Sequence, residues 1–236
     1  MLLLVLWQAA AMLLNQKLLL ASPVDVIARL FTLWKEPDFL GAVAFSFVRI
    51  AGGFVLAFIT GCILAVLAGR YSWLEKLLSP VMITVKSVPV ASFIIIALVW
   101  LSSRQLSVFI SFLMVLPVIY NNVLGGIKSI DRKLLEMADI YNIGFAKRVR
   151  GIWIPEIMPY IRSGASTALG LAWKAGIAAE VIGIPDGSIG EMLYSAKVYL
   201  NTRDLFAWTV IIVILSICFE KLVLWLLDKV YEKYCG

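Results

Sequence analysis

The charged residues of this chain are separated by six long runs that contain no Asp, Glu, Lys or Arg, and this pattern limits the possible folds more than any other feature. The runs are Met1 to Gln16, Ile50 to Gly69, Ser87 to Ser103, Gln105 to Ile127, Ser163 to Trp173 continuing beyond Lys174, and Leu205 to Phe219 continuing beyond Glu220. A helix needs about 20 apolar residues to cross the ~30 Å core of a bilayer. The sequence therefore predicts an all-α, polytopic membrane protein with about six transmembrane helices.

Composition supports a single membrane domain over residues 1–236. Hydrophobic residues make up 62% and charged residues 15% of the chain, and the mean hydropathy is +0.95, which is far from the values of a soluble domain. The first run is short for a bilayer but begins without a positively charged leader. We interpret it as a span and not as a cleaved signal peptide, and leave open where the natural chain starts.

The basic residues predict the orientation in the membrane. With six spans, thirteen Lys and Arg residues fall on one side and seven on the other, with Lys174 inside a span. The positive-inside rule then places both termini, the Arg70 to Lys86 linker and the Lys128 to Arg162 loop in the cytoplasm. The net charge of +6 follows from this topology, and we expect contact with membrane lipid and no nucleic-acid partner.

The residue types argue against catalysis and cofactor binding by this chain. It contains no His, which excludes imidazole bases and His-based metal sites, and it has no P-loop motif. Its three cysteines lack CxxC spacing, and Cys62 and Cys218 lie in apolar runs, so we interpret these two as inert thiols. The aspartates fall in loops or at span ends. We predict no catalytic residue, no metal site and no cofactor on this chain.

Polar residues are concentrated in the loop over about 128–160. Asp131 is a plausible N-cap, and Leu134, Ala138 and Tyr141 follow at helical spacing. Asn142 and Gly144 tolerate positive φ and predict a turn before a second short amphipathic helix that begins near Phe145. Pro155 and Pro159 suit the start of the next membrane helix. On composition alone, these helices could equally lie on anionic lipid.

The spacing within this loop resembles the EAA loop of bacterial ABC-importer permeases, whose pattern is E-A-A, three residues, G, nine residues, I-x-L-P. The residues at the positions of this pattern are Glu136, Ala138, Asn142, Ile152, Ile154 and Pro155. Three residues depart from the pattern: Met137 replaces alanine, Asn142 replaces glycine and Ile154 replaces leucine. Gly144 lies two residues after the glycine position. Because Asn tolerates a left-handed turn, the loop geometry can survive these changes.

The resemblance covers nearly the whole chain and is closest to the nitrate, sulfonate and taurine branch of these permeases. It is carried by "LLASPVDVI", "SVPVASFIIIALVWL", "LGLAWKAGIAAEVIG" and "GSIGEMLYSAKVYLNTRDLFA". It implies a type I ABC-importer permease fold in the bacterial plasma membrane and a small anionic or polar solute or a vitamin precursor as substrate. It also implies a second permease copy, two cytoplasmic ATPase subunits that bind ATP and Mg and dock on the EAA loops, and an external substrate-binding protein.

Lys174 and Glu180 are the charged residues that we single out in the fifth run as candidates for the translocation pathway. Lys174 lies roughly 21 Å along the helix from Tyr160, where a lysine is costly unless it meets water or a partner. Glu180 extends a stripe of small residues that includes Gly164 and Gly176, whereas Lys174 points away from it. We therefore expect no ion pair between them. Lys174 either snorkels or neutralises a carboxylate elsewhere, or it faces the pathway.

Further patterns predict local features of the bundle. Small residues at every fourth position, in Gly53 to Gly69 and Gly164 to Gly176, favour close helix packing. The pairs Ser79-Pro80 and Val88-Pro89 predict breaks before and within the third span, which would give a short helix and then a shortened span. Residues 189–200 predict a short amphipathic helix on the outer side. An ion-coupled carrier or a membrane scaffold is the alternative function, although the internal repeat typical of carriers is missing.

Overall fold

The computed structural model describes residues 2–14 and 20–235, and all regular secondary structure in these residues is helical. This confirms the all-α prediction. The helices are α1 Leu2–Leu14, α2 Pro23–Leu33, α3 Phe39–Arg70, α4 Ser72–Ser87, α5 Val90–Ala97, α6 Ser103–Ser129, α7 Arg132–Ile140, α8 Phe145–Arg148, α9 Ile154–Gly183, α10 Ile189–Val198 and α11 Thr202–Cys235, with a π turn at Val149–Trp153 between α8 and α9.

Helices α3, α6 and α9 form the centre of the bundle, with α6 packed between the other two. The small-residue stripes make this possible. A methyl group added at Gly53 would lie 2.5 Å from the carbonyl oxygen of Val108 on α6, and one at Gly164 would lie 2.8 Å from Cβ of Asn122. Only glycine permits such a close approach, so both predicted stripes are used for packing within this chain.

Helix α11 lies against α9 and joins the core through aromatic side chains. The ring of Phe219 is 5.3 Å from that of Phe47 and 5.7 Å from that of Phe54, in edge-to-face geometry. At the start of α11, Asp204 accepts a bidentate hydrogen bond from Arg29 of α2. Arg29 is therefore paired, and the bond to Asp204 raises the pKa of its guanidinium. These contacts fix α2 and α11 to one another.

Among the residues that the structure describes, three helices are long and apolar enough to cross a membrane: Phe39–Arg70, Ser103–Ser129 and Thr202–Lys233. They contain the predicted second, fourth and sixth runs. The pair α4 and α5, which is bent by 100°, could supply one more span. Helix α9 has 30 residues, about 45 Å, but its Gly, Ser and charged residues make it less apolar than these three helices. The count of six spans therefore stays a prediction. Of the first run, Met1, Asn15 and Gln16 lie outside the described residues.

The break predicted at Val88-Pro89 is confirmed, and the third span is shortened within the Ser87 to Ser103 run. Its helix α5 has only eight residues, about 12 Å, and the chain bends sharply at Val88-Pro89. Val88 is extended, with φ −80° and ψ 133°, because a residue before proline avoids the helical region. The break predicted at Ser79-Pro80 is absent, since α4 continues through Pro80.

Candidate functional site

The first helix and turn of the 128–160 loop have the predicted geometry. The side chain of Asp131 caps α7 by accepting a hydrogen bond from the backbone N–H of Lys133 at 2.9 Å. Asn142 has φ 48° and closes the helix in the left-handed region. Gly144 has φ −62° and is extended, so it does not use its freedom at positive φ. Asn142 alone is the turn residue, which matches its place at the glycine position of the EAA pattern.

The second half of the loop differs from the prediction. The prediction of a separate second short helix is wrong, because α8, the π turn and α9 follow one another without a break from Phe145 to Gly183. Pro155 is the second residue of α9 and follows directly after the π turn. Within the π turn, the N–H of Ile154 bonds to the carbonyl oxygen of Val149, five residues back. The loop and the membrane helix therefore form one continuous rod of roughly 55 Å.

Arg148 fastens the two parts of the loop together. Its guanidinium donates to the carbonyl oxygens of Ile143 at 2.6 Å and Ala138 at 3.0 Å, and it pairs with the carboxylate of Asp139. These groups lie at the C-terminal end of α7, where helix carbonyls lack partners within the helix. Sequence analysis missed Arg148, because no periodicity links it to a carbonyl ten residues earlier.

The predicted coupling residues divide into buried and accessible groups. Ala138 and Ile152 are buried, which indicates packing roles, and Ile154 and Pro155 are half-buried. Glu136, Asn142 and Gly144 are exposed. Among the described residues, Glu136 makes no side-chain hydrogen bond or ion pair, so its carboxylate is free to meet a partner. The structure brings these residues to one end of the bundle, at the start of α9.

Large apolar side chains are exposed around the turn. They are Met137, Ile140, Tyr141 and Phe145, which we call the loop patch. Ile140 and Phe145 are each 77% exposed, although the same segment carries Glu136 and other charged residues. A set of exposed apolar residues rimmed by charge is typical of a protein–protein contact. The loop patch is thus a surface suited to binding a partner outside the apolar spans.

Lys174 and Glu180 lie on different sides of α9, as their spacing predicted. Lys174 is exposed, and no hydrogen bond or ion pair of its side chain occurs in the described part of the chain. Glu180 is completely buried and accepts a hydrogen bond from the hydroxyl of Ser46 on α3 at 2.6 Å. The backbone N–H of Gly190 also donates to this carboxylate, at 3.4 Å. The fold does not bring the two charges together.

A polar face runs along α9 below Lys174. Ser163 and Thr167 are exposed and Gly170 is half-buried, and their spacing of four, three and four residues places them on the side that carries Lys174. Near the loop end, this face borders a cavity of about 560 Å³ between α9 and α11. Arg162 and Asp228 form an ion pair of 2.9 Å at the cavity. A helix with this face is unsuited to full exposure to lipid.

Comparison with known proteins identifies the class. Residues 57–233 match the family "Binding-protein-dependent transport system inner membrane component". The chain belongs to this family. It is 31% identical to the nitrate import permease protein NrtB of Synechococcus elongatus over 205 residues, which cover 82% of this chain and 72% of that protein.

Two further relatives support the same class. The chain is 27% identical to a Bacillus subtilis protein named "Putative aliphatic sulfonates transport permease protein SsuC", over 84% of this chain and 71% of that one. It is 32% identical to the bicarbonate transport system permease protein CmpB of Synechocystis, over 64% of this chain and 54% of the relative. The chain is thus a membrane permease subunit of an ABC importer, and the family implies ATPase and substrate-binding-protein partners. The carrier and scaffold alternatives do not fit.

Proposed function

We propose that two copies of this chain form the pathway for a small anion, and that Lys174 faces this pathway. The observation that carries the proposal is the uncovered face of α9 with Ser163 and Thr167, which ends at Lys174, an exposed lysine that makes no ion pair with any described residue. The three relatives compared above are named for sulfonates, nitrate and bicarbonate, which are all small anions. An exposed cation within the membrane suits such a solute.

The position of Lys174 favours water over lipid. A lysine in the hydrocarbon core costs roughly 2.5–3.5 kcal/mol at a helix centre, even with snorkelling. The hydroxyl of Ser163 lies on the same face, and that of Thr167 donates to the backbone carbonyl oxygen of Ser163 at 3.1 Å, so Lys174 is the group on this face that most needs water. Two such faces meeting across a water-filled pathway remove this cost. The complete burial of Glu180 favours a role in helix packing over contact with the solute.

The 128–160 loop is proposed to couple this pathway to the ATPase. The loop patch and the carboxylate of Glu136 offer an apolar surface with a charged rim to a soluble subunit. Arg148 holds α7 against α8, and α8 continues through the π turn into α9. A movement of the ATPase would therefore turn the same rod that carries Lys174. In this scheme the loop and both termini are cytoplasmic, and ATP and Mg are bound and ATP is hydrolysed on the partner subunits.

Uptake by the complete transporter tests the pathway. The variant Lys174→Met keeps the side-chain length and removes the charge. Uptake is measured with nitrate, sulfonates and bicarbonate, each at a concentration that limits the rate. We expect uptake of the transported anion to fall by about tenfold or more. Lys174→Arg should retain most uptake. Lys35→Met, which removes an exposed lysine outside the spans, is the matched control. Normal uptake by Lys174→Met at equal membrane abundance would refute the pathway role.

Cross-linking in native membranes tests the pairing of two copies. With the ATPase present, we expect a product of twice the mass of this chain. A product that contains a different permease would replace the homodimer with a heterodimer. Monomer alone would contradict the assembly.

A further inference from the structure

We propose that α10 is a hinged flap at the end of the bundle opposite the 128–160 loop, held shut by a clasp centred on Glu180 and strained at both hinges. The flap is Ile189–Val198, the clasp is Glu180 with Ser46, and the hinges are Ile184 and Leu200. Opening of the flap during transport rests on the function proposed above. Its position and mobility can be measured without any transport.

The clasp joins three helices through one carboxylate. Ser46 on α3 donates to Oε2 of Glu180 at 2.6 Å, and the Ser46 hydroxyl in turn accepts from the backbone N–H of Ile189 at 3.0 Å. The N–H of Gly190 donates to the same Oε2 at 3.4 Å. Both N–H groups belong to the first turn of α10, where helix donors lack internal partners and favour a negative group.

The contact at Gly190 shows how closely the flap lies on α9. A methyl group at this residue would come within 2.3 Å of Cβ of Glu180 and 2.4 Å of its backbone carbon. Further along the flap, Ala196 is buried and Met192 and Leu193 pack against the core, whereas Val198 at its end is exposed. The apolar side chains thus hold α10 on the bundle, and the clasp supplies the polar contacts of its first turn.

Both hinges have a backbone conformation that their side chains disfavour. Ile184 has φ 44° and ψ 58°, and Leu200 has φ 52°. The left-handed region is a genuine outlier for a β-branched or bulky residue. Ile184 is 36% and Leu200 61% exposed, so close packing of these side chains does not enforce the strain. Strain of this kind persists only where the surrounding structure forces the backbone into the unfavourable conformation. Here the clasp fixes the position of α10, and this position forces the conformation of both hinges.

The clasp is also incompletely bonded. Oε1 of Glu180 and the hydroxyl of Ser107 on α6 are buried, and no hydrogen bond of standard geometry to either atom occurs among the described residues. A buried polar atom without a partner costs free energy. The closed flap therefore combines three hydrogen bonds and a close helix contact with two unsatisfied atoms and two strained residues. An element that moves between a closed and an open position needs such opposing stabilising and destabilising contributions, because they keep the two positions close in free energy.

Backbone amide exchange of the full chain in lipid nanodiscs, followed by mass spectrometry of the peptide over 186–198, tests the proposal. Glu180→Ala should speed exchange at Ile189 and Gly190 by about tenfold, since it removes the buried acceptor of the Ser46 and Gly190 bonds. Glu180→Gln should stay close to wild type, because its carboxamide still accepts from Ser46 and can donate to Ser107. Glu191→Gln, at a surface carboxylate of the same helix, is the matched control.

The hinges give the opposite expectation. Leu200→Gly relieves the left-handed strain of the closed flap and should slow exchange in this peptide by a few fold, although glycine normally loosens a chain. Faster exchange in Leu200→Gly would overturn the strained-hinge proposal. Unchanged exchange in Glu180→Ala, with an α6 peptide still protected, would overturn the clasp.

Ser46→Ala provides a second route if Glu180→Ala does not fold. It removes the bonds between Ser46, Glu180 and Ile189 and leaves the carboxylate in place. We expect an intermediate acceleration of exchange, and wild-type exchange would again overturn the clasp. Because no solute is used, this result can fail while the uptake defect of Lys174→Met persists, or the reverse.

Discussion

The guanidinium of Arg148 donates a 3.0 Å hydrogen bond to the backbone carbonyl oxygen of Ala138, ten residues earlier in the chain. The same group bonds to Ile143 and Asp139. Arg148 therefore closes the end of α7 and fixes the angle between α7 and the rod that leads into the membrane. Few side chains can do this, because the planar guanidinium presents several donors in a fixed arrangement.

We expect Arg148→Lys to disturb coupling, since lysine cannot reproduce the forked contacts to two carbonyls and a carboxylate. Membrane abundance should stay normal, while solute-stimulated ATP hydrolysis should fall several-fold. Lys147→Ala, at the exposed neighbouring residue, serves as the control. Full coupling in Arg148→Lys would show that the bonds to Ala138 and Ile143 are dispensable.

Asn142 should tolerate substitution in a graded manner. Its left-handed backbone costs most residues roughly 1–2 kcal/mol, while glycine adopts it freely. Asn142→Gly should therefore retain ATPase binding and uptake, and Asn142→Val should weaken both, because a β-branched residue resists φ near 48°. The comparison uses ATPase co-purification at matched membrane abundance. Equal binding by the Val and Gly variants would contradict a strict turn requirement.

Glu136 should matter for binding and not for folding. Its carboxylate is exposed and lies beside the loop patch, so Glu136→Ala should weaken ATPase co-purification and stimulated hydrolysis without loss of membrane insertion. Phe145→Ser tests the apolar part of the same surface and should reduce ATPase binding by about tenfold if Phe145 is a central contact. If both variants couple normally, the loop patch does not bind the ATPase.

Two neighbouring glycines on α3 offer a matched test of packing. Gly53→Ala would place a methyl group 2.5 Å from the carbonyl oxygen of Val108, whereas Gly52→Ala would meet no atom within 4 Å. We expect Gly53→Ala to destabilise the protein by about 1–3 kcal/mol, and Gly52→Ala to be neutral or slightly stabilising. Thermal unfolding in detergent compares them, and similar melting temperatures would count against tight packing of α3 on α6.

Sequence reasoning succeeded where the signal is local. The apolar runs that begin at Ile50 and Gln105 lie in long helices, since an uncharged run of membrane length has few other structures open to it. The turn at Asn142 was predictable because one residue determines it. The small-residue stripes likewise predicted close packing correctly.

The remaining features depend on residues that are distant in sequence or on the sum of weak preferences. Ser46 and Glu180 are 134 residues apart, so no spacing rule reveals their bond. Pro80 and Pro89 both predicted helix breaks, but only Pro89 is associated with one. The residue before it, Val88, has an extended backbone and ends α4. The continuity of α8 with α9 depends on a π turn, which has no simple sequence signature.

The orientation of the glycine stripes has a consequence for any assembly of this chain. Both stripes face the interior of one protomer, so neither is free to bring two protomers into close backbone contact. For the pair of copies proposed above, bulky exposed side chains such as Ile95, Val99 and Trp100, in and just after α5, are available as contacts. Large side chains can exchange rotamers as surfaces slide past one another, whereas interlocked glycines cannot. Such a seam would let the halves rock apart while each half keeps its shape.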